Sequence, residues 1–144
     1  MKLLTALRLA SSGLSVQRTR LNITAMNLAN ANVTRTLTGE PYRAENVIVE
    51  ATPFAQDLEK ELGSLADKLY APKVLTIVED QSPFREVYDP GHPDADERGI
   101  VRYPNVDVFT EMVELLSASR AYEANLSVVS TTKTMAMKTL EILK

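Results

Sequence analysis

All seven prolines of this 144-residue chain fall between Pro41 and Pro104, which leaves two long proline-free ends free to be helix. The first end carries the run LNITAMNLANANVTRT, Leu21 to Thr36, with helical spacing and no charged residue from Leu21 to Thr34. A solvated helix of that length normally places Lys and Glu on its outer face. One that is neither apolar all round nor charged on its far side is expected to be wrapped by other protein. That is the pattern of an assembly component.

Within the first end, Leu7, Leu14, Leu21 and Leu28 recur every seven residues, with Ala25 beside them. A straight helix drifts only about 20° per heptad, so these leucines form one stripe. The spacing predicts a helix from Leu3 to Asn30, with Asn32 and Gly39 as stop signals. The last end begins after Pro104, has neither Pro nor Gly, and offers Asn105 or Asp107 as N-cap. There Met112, Leu116, Ser119, Tyr122, Leu126, Val129, Ala136, Leu140 and Leu143 step by three and four apart from an interruption at Lys133, the coiled-coil spacing, so a helix is predicted over about Val108 to Ile142.

The middle changes period. Tyr42–Glu50, Val74–Val78, Phe84–Tyr88 and Ile100–Tyr103 read as short strands between turn residues. Phe54, Leu58, Leu62, Leu65 and Leu69 recur at helical spacing and predict a short helix near 54–70. The expected fold class is α+β: long N- and C-terminal helices packed as an antiparallel coiled-coil-like pair, with a small β-containing middle domain. The expected segments are residues 1–36, 37–104 and 105–144.

Charge follows the same division. Residues 1–39 hold five bases and no acid, residues 40–107 fifteen acids against seven bases, and the remainder four of each. The basic end suits an exposed helix flank or a handle for acidic partners. It also resembles loosely a mitochondrial targeting segment, a reading that would leave the C-terminal helix without a partner. No apolar run reaches the roughly 18 residues of a membrane span.

Catalysis finds little support. With no Cys and a single His, thiolate chemistry is excluded and a Ser-based triad would rest on His92, inside DPGHPDADERG. That segment, Asp89 to Gly99, has four acids, but an EF-hand frame starting at Asp94 would put Arg98 at position five and Asn105 at twelve. A rigid acidic turn is the expected structure. No phosphate-binding or dinucleotide-binding glycine pattern is present. The reading assigns no catalytic, cofactor or metal residue, and no nucleic acid or small-molecule substrate.

On the helical wheel Asn27 and Asn30 fall roughly opposite the leucine stripe. Amides there are poor helix formers but can bond across an interface without burying charge. Four segments carry a family resemblance: LNITAMNLANANVTRT; GEPYR at Gly39–Arg43; EDQSPFREVYDPGHPDADERGIV at Glu79–Val101; and PNVDVFTEMVELLSASRAYEANL at Pro104–Leu126. They cover about two-thirds of the chain, and it resembles the flagellar basal-body rod proteins, in particular those of the proximal rod.

The resemblance implies a structural rod subunit in the bacterial basal body. Its terminal helices would pack around an axial export channel and transmit torque. It would be exported by the flagellar type III apparatus without a cleaved signal, and would assemble with copies of itself and other rod subunits. Leu7, Leu14, Leu21, Ala25 and Leu28 are expected to pair with Met112, Leu116, Leu126, Val129 and Leu140, within the subunit or across neighbours. Asn27, Asn30, Tyr122 and Asn125 are expected at contacts between subunits. The alternative is a generic coiled-coil adaptor.

Overall fold

The computed structural model describes residues 2–53 and 69–142, in the order helix α1 (Lys2–Ala29), strands β1 (Glu45–Pro53), β2 (Tyr70–Glu79), β3 (Arg85–Tyr88) and β4 (Ile100–Tyr103), and helix α2 (Val108–Ile142). The helix expected near 54–70 lies outside the described residues up to position 68; beyond it Leu69 is exposed and Tyr70 opens β2. Both long helices form where the prolines are missing, and they pack together. The fold is α+β.

Local signals account for the element boundaries. At the start of α2, Asp107 is the N-cap: its Oδ1 accepts from the Phe109 N–H at 3.1 Å and its Oδ2 from the Thr110 hydroxyl at 2.8 Å. Asn105, the other candidate, is used elsewhere. After α1 the chain turns through Asn30 and Ala31, with Val33 N–H donating to Asn30 C=O at 3.0 Å.

The four strands form two separate two-stranded sheets, β1 with β2 and β3 with β4. β3 and β4 run antiparallel with Arg85 opposite Tyr103, Glu86 opposite Arg102 and Val87 opposite Val101. Two of those cross-strand pairs interact: Arg85 lies 5.2 Å from the Tyr103 ring centre, and Arg102 Nε is 4.0 Å from Glu86 Oε1.

The chain divides into two compact units, the first of Met1–Thr19, Ile48–Thr76 and Ala118–Lys144, the second of Arg20–Val47 and Ile77–Ser117. The division cuts through both long helices. In the first unit Ala10, Gly13 and Val16 of α1 and Ala118 and Thr132 of α2 are buried. Gly13 lets the helices approach closely: a Cβ at this position would meet the Asn125 amide at 3.0 Å, so that side chain would have to give way to anything larger. The second unit is centred on Val101, Pro104, Ala44, Ile23 and Asn27.

The apolar core is thin. Among the described residues its buried apolar members are Ala10, Val16, Ile23, Ala31, Ala44, Val101 and Ala118, and four of these seven are alanines. At about 25 cal/mol per Å² of apolar area, alanines contribute little, so these seven fully buried residues stabilise the described part of the chain weakly.

Candidate assembly interface

Asn27 organises the second unit. Its Nδ2 donates to the Glu45 carbonyl and to Glu111 Oε1, each at 3.0 Å. Its Oδ1 accepts from the Tyr42 hydroxyl at 2.9 Å and from the Glu45 N–H at 3.0 Å. Two donors and two lone pairs are all that an amide side chain has, and every one is used. One side chain therefore ties α1 to the start of β1, to the Tyr42 loop and to the first turn of α2. It is 1% exposed.

This differs from the wheel reading, which turned Asn27 outward. The buried line on α1 runs through Ala10, Gly13, Val16, Ile23, Thr24, Asn27 and Ala31. It lies about 100° round the helix from the leucine stripe, taking the α-helical period. Leu7, Leu14, Leu21 and Leu28 flank that line half-buried, and Ala25 is exposed. Assuming that the largest apolar residues face inward misplaces the wheel, because small and amide residues line the inner face here.

α2 shows the same inversion. Its least exposed positions include Glu111, Leu115, Ala118, Tyr122, Asn125, Val129, Thr132 and Ala136, alternating steps of four and three. Tyr122, Val129 and Asn125 are in this seam. Met112, Leu116 and Leu126 each sit one residue past a seam position and are exposed, Leu116 at 57% and Leu126 at 51%. Leu140 is exposed too, as are Phe109, Val113, Val128, Met135 and Met137. Asn125 donates back to the Ala121 carbonyl at 2.9 Å, and Asn30 to the Met26 carbonyl at 2.8 Å, so both amides satisfy their own helix.

Other motif residues are structural. Asn105 Oδ1 accepts from Ala44 N–H at 2.9 Å, while its Nδ2 donates to the carbonyls of Asp80 and Ser82 at 3.0 and 3.3 Å. Arg43 reaches the same two carbonyls and stacks 4.2 Å above the Phe84 ring. The segments GEPYR, EDQSPF and PNV thus meet at one joint. Sequence reasoning quoted all three without seeing that Tyr42, Glu45 and Asn105 share it; no periodicity reports a contact between loops.

The acidic turn is built by its own backbone. Asp89 N–H donates to Gly99 C=O at 2.8 Å, and Asp96 Oδ1 accepts from the N–H groups of Arg98 and Ile100, each at 2.8 Å. The Ile100 bond, before the Arg98 one, holds the Asp96 carboxyl below its usual range. Gly99 closes the turn at φ +75°, where a Cβ would strike Tyr88 and Pro90. His92 Nδ1 accepts from the Asp94 N–H at 3.1 Å. Asp94 binds the Thr34 hydroxyl at 2.8 Å and faces Arg35 at 3.6 Å, anchoring the turn to the segment after α1. Among the described residues no group of three His, Asp or Glu is placed to hold a metal ion.

Around Asn27 the electrostatics are acidic. Burial, then Glu45, Glu111 and Glu79, push the Tyr42 hydroxyl up. Burial also raises Glu111; the Asn27 hydrogen bond works against it, and Glu114 and Asp107 add to it. Nothing in this arrangement sets a nucleophile beside a base. What it does is hold two helices and a ribbon in register while large apolar side chains face out.

Among the described residues no helix is long and apolar enough to cross a membrane. Residues 7–35 match the flagella basal body rod protein family and residues 97–142 the C-terminal family of flagellar basal body rod FlgEFG proteins. Over essentially full length the chain is similar to the flagellar basal-body rod protein FlgC of Yersinia enterocolitica, 43% identical with 99% of this chain and 98% of the relative covered. It is 41% identical to that of Bacillus subtilis, with 95% of each covered, and 38% identical to that of Borreliella burgdorferi, with 100% and 99% covered. The two family matches take in most of α1 and the whole of α2, with Asn27 and Asn105 inside them, and the chain belongs to the FlgC family of flagellar basal-body rod proteins.

Proposed function

We propose that this chain is a proximal-rod subunit whose function is mechanical: its terminal helices interlock with those of neighbouring subunits around the export channel and carry torque. The observation that carries the reading is the row of large apolar side chains exposed on α2, from Phe109 through Met112, Leu116 and Leu126 to Leu140. An isolated soluble helix does not keep such a row in water. Neighbouring helices in a rod would cover it, with Met112, Leu116, Leu126 and Leu140 pairing across subunits. Leu7, Leu14, Leu21 and Leu28 would serve on α1. Asn30, at the end of α1, would add a polar contact between subunits, whereas Tyr122 and Asn125 lie in the seam of α2. Asn27 is spent within its own chain.

The thin core fits the same reading. A helix pair that buries mostly small residues offsets its ordering entropy poorly alone and completes its folding on assembly. Loosely ordered ends also suit threading through the flagellar type III export apparatus, without a cleaved signal. The partners are other rod subunits and further copies of this chain, in the part of the basal body that crosses the periplasm.

Leu126→Asp tests the reading. The purified variant is expected to match the wild-type circular dichroism, because Leu126 is already exposed. Cells carrying it are expected to be non-motile, with basal bodies that stop before the rod. Normal swimming would overturn the proposal.

A further inference from the structure

On the first unit an open groove of about 800 Å³ runs between α1 and the ends of β1 and β2. Arg8, Ser12, Ser15, Thr19, Thr52 and Lys73 provide its polar lining. Two cations and four hydroxyls face it, and among the described residues no acid lines it. Ser12 donates to the Pro72 carbonyl and Thr52 to the Ala71 carbonyl at 3.2 Å, which fixes the walls. Among the described residues neither Arg8 nor Lys73 has an ion-pair partner.

The second unit carries the complement. By sequence the first unit holds ten bases and seven acids, the second six bases and twelve acids. Part of that excess is presented on the turn between β3 and β4, where Asp89, Asp96 and Glu97 are exposed with Arg98 as the one base among them. Pro90, Pro93 and the turn's own hydrogen bonds hold it in shape before any partner arrives. A preformed acidic loop loses little entropy on docking.

We propose that the basic groove of the first unit receives the acidic β3–β4 turn of a second copy of this chain. Arg8 and Lys73 meet Glu97 and Asp89 across the contact. The two surfaces are different patches of one molecule, so the contact is heterologous. It leaves a free groove at one end and a free turn at the other, and each added copy can repeat it. The proposal rests on the rod-subunit reading and gives that subunit a charge-matched, directional contact with its own kind. Opposite charge also steers approach and rejects wrong pairings.

The chain has no Cys, so introduced cysteines report only the chosen pair. Two copies, one with Ser15→Cys and one with Arg98→Cys, are produced together in cells lacking the native chain, and basal bodies are isolated under oxidising conditions. A disulfide-linked dimer of the two copies is expected. Adding Arg8→Glu and Lys73→Glu to the Ser15→Cys copy should cut the cross-linked fraction about tenfold, as like-charge juxtaposition does. Glu97→Lys on the other copy should restore much of it. Basal bodies that contain both copies without the dimer, or a dimer indifferent to charge reversal, overturn this contact and leave the rod reading standing. Absence of both copies from basal bodies overturns the rod reading and the contact with it.

Discussion

The joint around Asn27 and the outer face of α2 handle burial in opposite ways. At the joint a polar side chain is enclosed with every hydrogen bond made, to Glu45, Tyr42 and Glu111. Along α2 Met112, Leu116, Leu126 and Leu140 stay outside while Ala118, Asn125 and Thr132 help to fill the seam. The joint is complete within one chain and the outer face is not. An amide network fixes geometry through direction, and its cost is low only when every member is paired. Apolar area stabilises without direction, so a chain that keeps it outside leaves that free energy unused in the single molecule.

Substitutions can separate the two. The largest effect is expected from Leu116→Asp combined with Leu126→Asp: motility is lost entirely, while the stability of the purified chain stays within about 0.5 kcal/mol, as for exposed sites in general. A cooperative loss of helix in the isolated variant would mean that α2's outer face already serves its own chain. Next comes Asn27→Ala, which strands the Glu45 backbone groups and the Tyr42 hydroxyl. A cost of about 3 kcal/mol is expected, from several buried groups left unpaired. Urea unfolding of the second unit would measure it. Asn27→Lys should do at least as much damage, because its charge enters the joint; the middle of the chain will not stay folded around it.

Gly13→Leu probes the close approach of the helices in the first unit. Overpacking against Asn125 should cost about 2 kcal/mol, within the range for extra methylenes in a packed site. Ala is a milder case, since the Asn125 amide can swing aside and a helical Gly→Ala change returns up to about 1 kcal/mol.

The smallest expected effect is on pH dependence. Burial raises the folded-state value of Glu111, so its folded form binds the proton more readily than its unfolded form. Stability is then greatest below the ordinary Glu value and declines as pH rises through the raised one. Glu111→Gln keeps an acceptor for Asn27 and should remove this decline, visible as a flatter Tm against pH. Asp107 acts with the opposite sign: its bonds to Thr110 and Phe109 lower its value. The cap is fully effective above the ordinary Asp value and is lost as pH falls through the lowered one.

Much of the fold was legible because it depends on local signals. Proline placement located both helices, Asp107 capped α2 where a short polar residue preceded the helix, and period-two runs located the strands. The facing of each helix was not legible from the same signals. Leucine spacing points to a stripe, but it cannot tell whether that stripe meets its own chain or another. The Asn105 and Tyr42 contacts were equally hidden, since the bonds around Asn27 and Asn105 join residues 15 to 84 positions apart.

By itself the sequence determined where helix, strand and turn occur, because those follow from propensity, capping and missing prolines. Through its motifs it also determined the family. The tertiary structure decided which side of each helix is inside. That choice depends on what packs closely within each unit: in the first, Gly13, Ala10 and Ala118 are buried, and in the second Asn27 makes four hydrogen bonds to Glu45, Tyr42 and Glu111. Met112, Leu116, Leu126 and Leu140 are turned outward as a consequence.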